Sequence, residues 1–297
     1  MRVRAATARG YPGEDGETGQ AAEKIRTSRM NRKNRKNHKK RKRRRRRMDG
    51  EPGAPGPDGW QRLAPGVHRC RLPGWDCTVG LVTGDAGALL VDAGGTPRQG
   101  AAVRDAALRL ADGAPVRHLA LTHPHFDHVL GAGAFPGAEV AGAAGLAEAL
   151  GGAAGRAALY ADAVRHGVPA AAARAAVDGL GPGAPRVREV GEEPYGLDLG
   201  GGTRVLLVDA GPGHTACDLA VLVHPAAGPA VLFCGDLVEE SGPPQAGPDA
   251  VPDRWPAALD VLLRLGGEDA LYVPGHGAVV DAAFVRAQRD APARGGV

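Results

Sequence analysis

Apolar segments that stop abruptly at short loops carrying Asp or His recur along this chain. That repetition constrains the fold more than any other feature. "ALLVDAGG" runs to Asp92, "PVRHLALTH" to His123, "AVLFCGD" to Asp236 and "ALYVPGHG" to His276, while "TRVLLVDAG" leads into "GPGHTACD" at 211–218. Runs of this length bounded by Gly and Asp read as strands. Segments with helical spacing of apolar positions separate several of them: 98–111, two or three helices within 142–180 with Pro169 opening a new one, 254–265 and 281–290. Strand, helix, strand order predicts an α/β layered protein. In such sheets the loops that carry function gather at one end of the strands.

Charge divides the chain in two. Of 37 Lys/Arg and 33 Asp/Glu in the 297 residues, residues 1–47 hold 19 and 4, leaving 18 and 29 for the rest. A basic tail therefore precedes an acidic body. "MNRKNRKNHKKRKRRRRR" (30–47) has 13 Lys/Arg and no acid, a composition that favours disorder. It reads as a phosphate-binding arm, as a solvated tail, or as the product of a start codon set upstream of Met48. No aromatic residues interleave with it, so base stacking has no support there. "DGEPGAPGPDG" (49–59) reads as a linker. Residues 1–59 are thus expected to be a tail and linker, and 60–297 one domain. No apolar run reaches the length of a membrane span, and the basic N-terminus has no apolar segment behind it to make a secretory signal. Cytoplasmic residence without membrane association is the expectation. Cys70, Cys77, Cys217 and Cys234 form no CxxC pair and read as buried thiols.

"LTHPHFDHVLG" (121–131) places His123, His125, Asp127 and His128 within six positions. Taken alone it is either a polar turn or half of a metal site. His123 and His125 are two apart, so in an extended segment both face one way. Asp127 and His128 follow where the chain turns toward helix and can aim at a second ion. Five of the ten histidines lie at the strand-end loops: His123, His125, His128, His214 and His276. With Asp127 and Asp236 they make seven donors suited to zinc or a similar ion. Seven are too many for one tetrahedral ion and about right for two ions sharing a carboxylate. His118 and His224 read as structural. Trp75 reads as a candidate lid. Pocket walls are expected from 73–77, 142–180 and 239–249.

These motifs resemble the metallo-β-lactamase superfamily of metal-dependent hydrolases. "THPHFDH" is similar to its HxHxDH signature, "GHT", "GD" and "GHG" follow in the family's order, and "VDAG" is similar to its early aspartate motif. The resemblance spans about residues 62–290. It implies a four-layer αββα sandwich of two similar halves with the site along one edge. It also implies His123, His125 and His214 on a first ion, Asp127, His128 and His276 on a second, Asp236 bridging them, and Asp92 orienting a ligand histidine from behind. Two divalent ions, zinc first with iron or manganese as alternatives, would ionise a bridging water, with Asp127 orienting it and moving a proton. His at 125 argues against the di-iron flavoproteins of similar fold, and Asp at 236 against β-lactam hydrolysis. The intervals of 22 residues from His214 to Asp236 and 40 from Asp236 to His276 leave no room for the extra domain of the family's RNA-processing nucleases. The chain also ends too soon after His276 for the helical domain of glyoxalase II. A compact glyoxalase-II-like hydrolase of small carboxylic esters, thioesters or lactones is the leading expectation. One alternative resembles persulfide dioxygenases, with a single iron on His123, His214 and Asp236. Another is a phosphodiesterase aided by the basic tail.

Overall fold

The computed structural model describes residues 59–181 and 186–291; the basic block and the 49–58 portion of the linker lie outside the described residues. From Trp60 the chain lays down four antiparallel strands: β1 (Trp60–Ala64), β2 (Val67–Arg71), β3 (Thr78–Thr83) and β4 (Ala88–Val91). Helix α1 (Pro97–Leu110) follows. Its start is dictated locally: the Thr96 side chain accepts a hydrogen bond from the Gln99 backbone N–H, and Pro97 occupies the first turn, where no donor is needed. Then come β5 (Val116–Ala120), the one-turn helix α2 (Phe126–Val129), a 3-10 turn (Leu130–Ala134) and β6 (Glu139–Ala143). Helices α3 (Leu146–Gly151), α4 (Ala153–Arg165) and α5 (Ala170–Asp178) precede β7 (Val187–Val190), and Pro169 opens α5 as expected. Seven strands form one sheet in sequence order, parallel from β4 through β7.

The second sheet contains β8 (Tyr195–Gly200), β9 (Thr203–Asp209), β10 (Leu219–His224), β11 (Val231–Glu239) and β12 (Leu271–His276). Its spatial order is β12-β11-β10-β9-β8, antiparallel except for the β11–β12 pair. Helix α6 (Trp255–Gly266) crosses between β11 and β12, and α7 (Ala282–Asp290), capped by Asp281, closes the described chain.

Three apolar cores stack these elements into four layers. The outer face of the first sheet packs on α1 to α5 through residues such as Leu90, Leu119, Leu146 and Leu159. The two sheets meet through Val82, Leu89, Leu207, Val221 and Phe233. The outer face of the second sheet packs on α6 and α7 through Leu232, Leu259, Leu262 and Val285. This is the expected αββα sandwich, with seven strands against five. Strands β4 and β11 are buried along their whole length, as strands covered on both faces must be. The sheets approach closely at Gly80 on β3: a Cβ there would come within 2.4 Å of the Phe233 ring on β11.

Candidate metal centre

One edge of the sandwich brings together every side chain that the strand-end pattern singles out, although β11 runs on past Asp236 to Glu239 instead of ending there. Asp92 follows β4, His123 and His125 follow β5, and Asp127 and His128 sit on α2. His214 lies in the loop after β9, Asp236 lies inside β11, and His276 ends β12. Asp236 is the hub. Its Oδ2 is 3.2 Å from His276 Nε2, 3.5 Å from His214 Nε2 and 3.7 Å from His123 Nε2, and its Oδ1 is 3.3 Å from His128 Nε2. Asp127 Oδ2 approaches His276 Nε2 at 3.4 Å and His128 Nε2 at 3.7 Å. His125 Nδ1 faces His214 Nε2 at 2.9 Å. The seven donors form two overlapping pockets, one with His123, His125, His214 and Asp236, the other with His128, Asp236 and His276 beside Asp127.

Each imidazole has its second nitrogen committed elsewhere. His128 Nδ1 donates to Asp92 Oδ2 at 2.8 Å, His276 Nδ1 to the Trp75 carbonyl at 2.9 Å and His214 Nδ1 to the Gln245 carbonyl at 3.1 Å. His125 Nε2 donates to Asp249 Oδ2 at 3.1 Å. Thr122 Oγ1 gives its proton to Asp92 Oδ2 and therefore accepts from His123 Nδ1 at 3.0 Å. An oxygen behind each ring places a proton on the outer nitrogen and leaves the inner nitrogen a bare acceptor. Five bare nitrogens and two carboxylates then point at one another. Facing acceptors at 2.9 Å repel unless a cation or a proton lies between them. The buried His123 Nε2 and Asp236 Oδ1 have no hydrogen-bond partner, a costly state for groups shut off from water. The donor set fits divalent cations.

Electrostatics of the metal-free cluster say the same. Burial holds His123 well below the usual histidine range and His214 down to about 4, although Asp236 pulls both the other way. Burial also lowers His128 and His276, but there the neighbouring groups win: Cys77, Asp236, Asp127 and Asp92 hold His128 well above its usual value, and Asp236 and Asp127 raise His276 to about 9. Burial pushes Asp236 up, yet His276, His128 and His123 hold it well below the carboxylate range. Protons on His128 and His276 thus balance the buried carboxylates in the places that cations would take.

Asp92 is placed by strain. It adopts φ +58°, rare for a residue with a side chain. From there one carboxylate accepts the Thr122 backbone N–H, the Thr122 hydroxyl and His128 Nδ1, each at 2.8 Å. Gly275 is required for another reason: a Cβ on it would lie 1.8 Å from Asp236 Oδ1.

Trp75, a candidate lid by sequence, is tied to its surroundings. Its indole N–H donates to the His166 carbonyl, its ring meets Phe126 edge-on at 5.0 Å, and its own carbonyl holds His276. It is a fixed wall and a support. His118 and His224 lie on strands away from the cluster, as expected, with His118 3.5 Å from Glu139. Cys217 and Cys234 are buried, and burial pushes the Cys217 thiol up to about 12. Cys77, by sequence a generic buried thiol, sits 3.7 Å from His128 Nδ1 and within reach of Asp127. Gln245 and Asp249 were read only as parts of a pocket-wall stretch. Their hydrogen bonds to two of the histidines had no motif to announce them.

Residues 72–276 match the family model described as the metallo-beta-lactamase superfamily. The chain belongs to that superfamily. No curated protein sequence matches it. Solved structures of the superfamily share its fold. One is an archaeal superfamily protein from Sulfolobus tokodaii, 21% identical, covering 75% of this chain and 84% of its own, with a TM-score of 0.51. The metallo-beta-lactamase from Pontibacter korlensis is 20% identical over 77% of this chain and 97% of its own, TM-score 0.52. The metallo-beta-lactamase FIM-1 from Pseudomonas aeruginosa, solved in a mono-zinc form, is 19% identical over 77% and 92%, TM-score 0.52. This superfamily member has the fold of metal-dependent hydrolases and carries His and Asp groups arranged to bind metal. No helix among the described residues is long and apolar enough to cross a membrane.

Proposed function

We propose that the protein is a dinuclear metal-dependent hydrolase. His123, His125 and His214 hold a first divalent ion, Asp127, His128 and His276 a second, and Asp236 touches both. The observation that carries this reading is the gathering of five imidazole inner nitrogens, four of them 3.2–3.7 Å from Asp236 and that of His125 2.9 Å from His214, each ring with its outer nitrogen bound to an oxygen. Imidazole and carboxylate donors favour zinc, with iron or manganese as alternatives. Two such ions supply a water ionised near neutral pH and an electrophile for the substrate oxygen. The chain's own residues do the rest. Asp92 fixes the tautomer of His128, and the Trp75 carbonyl fixes that of His276. Asp127 is buried beside His276 and is the carboxylate placed to orient the attacking water and pass a proton to the leaving group. Trp75 and Phe126 pack edge-on against each other beside the second pocket.

A small carboxylic ester, thioester or lactone is the substrate class we favour. Asp at 236 departs from the zinc β-lactamase pattern. The rim carries the carboxylates of Asp249 and Asp162, and Arg165 is already paired with Asp162. Such a rim suits an uncharged acyl group better than an anion. A mononuclear iron on His123, His214 and Asp236 would leave Asp127, His128 and His276 clustered without a purpose. Cys77, Cys217 and Cys234 are buried free thiols, which supports residence in a reducing cytoplasm.

The test is metal analysis of the purified chain beside a hydrolysis screen over esters, thioesters, lactones, β-lactams and phosphodiesters. Two zinc ions per chain with acyl hydrolysis are expected. One iron with oxygen consumption on a persulfide would overturn the reading.

A further inference from the structure

Two histidines of the first pocket lean on one surface loop. His125 follows β5 and His214 follows β9, so they are 89 residues apart. Both outer nitrogens nevertheless end on the short stretch between β11 and α6: His214 Nδ1 on the Gln245 carbonyl and His125 Nε2 on Asp249 Oδ2. That stretch is itself pinned to the His214 loop, because Val251 N–H donates to the Gly213 carbonyl at 2.9 Å. The second pocket is supported differently. His128 rests on the buried Asp92, and His276 on the backbone of Trp75. Asp249, by contrast, has a side chain that is 47% exposed.

We propose that Asp249 is the positioning residue of the first metal pocket, and that the 245–249 segment sets its affinity independently of the second. The inference rests on the two-ion reading above. His125 differs from the other four histidines in presenting Nδ1 inward. That orientation needs an acceptor at Nε2, and Asp249 supplies it. Without Asp249 the ring can take the other tautomer or turn over, and either one removes a bare nitrogen from the first pocket only. A carboxylate behind an imidazole also raises its basicity toward a cation.

The test is zinc competition against a chromophoric chelator on the full chain. Asp249→Ala is expected to weaken one of two binding steps by about 10–100-fold. The weakened step should be the one that His125→Ala also weakens, with the step sensitive to His276→Ala left as in the wild type. Asp249→Asn keeps an acceptor oxygen and should recover much of the loss. Equal losses at both steps, or none at either, overturn the proposal, as does an Asn variant no better than Ala. A wild-type chain that binds no zinc would instead sink the two-ion reading itself, and this proposal with it.

Discussion

A Cβ placed on Gly275 would stand 1.8 Å from Asp236 Oδ1. The last strand thus leaves a gap that the hub carboxylate fills. Gly275→Ala must push Asp236 aside or shift β12 against β11, and Asp236 is the group that four histidines approach. We expect zinc affinity to fall by at least about tenfold at both steps, with the circular dichroism spectrum retained. Isothermal titration of the purified variant checks this; unchanged binding would show that Asp236 is not the shared ligand.

His276→Ala is a cleaner probe of the second pocket than His128→Ala. His128 is fully buried and satisfies Asp92, so removing it strands a buried carboxylate, a change that typically costs about 3–5 kcal/mol. His276 is partly exposed and its outer partner is a backbone carbonyl. Its replacement removes one of the charges that balance Asp236 and Asp127, so the chelator-treated protein should melt lower than wild type but above the His128 variant. The replacement should also cut turnover on the best acyl substrate by about 10²-fold or more. Retained turnover would mean that the second ion is dispensable.

A chain beginning at Met48 should hydrolyse the same substrates with the same kcat and KM, because every residue of the cluster lies between Asp92 and His276. Nucleic-acid binding, if the full chain has any, should be lost on truncation, and in the full chain it should weaken steeply as salt rises. Activity on phosphodiesters that vanishes with the tail would revive the nucleic-acid alternative.

Much of this site is legible in the sequence because its donors sit where strands end. "THPHFDH" after β5 and "PGHG" at the end of β12 combine strand chemistry with ligand chemistry, so place and function are written together. Strands β6 and β7 were not evident. "EVAGA" has little β-branched character and is a strand because parallel neighbours pair with it on both sides. The hairpin of β1 ("WQRLA") and β2 ("VHRCR") lacks a clean apolar–polar alternation and offers only a starting point near Trp60. Asp249 was hidden for a different reason: its role depends on a loop returning over His125 from 124 positions away, and no local pattern encodes such a return.

Zinc affinity should rise with pH from neutrality through about 9, where His276 gives up its proton. His276 is raised to about 9 by Asp236 and Asp127 against the burial that opposes them, and His128 is raised as well. Below that pH the metal-free site holds protons on nitrogens that must be bare to bind an ion, so binding releases them and competes with them. The sign is therefore affinity gained as pH rises, where a site whose ligands were already neutral would show no such dependence. His123 and His214 are held low by burial, His214 to about 4, and add no such dependence near neutrality. Loading at pH 7 should release protons measurable with an indicator dye in weak buffer, and His276→Ala should release fewer. A pH-independent affinity between pH 6 and 9 would contradict protons on His128 and His276 balancing the buried carboxylates.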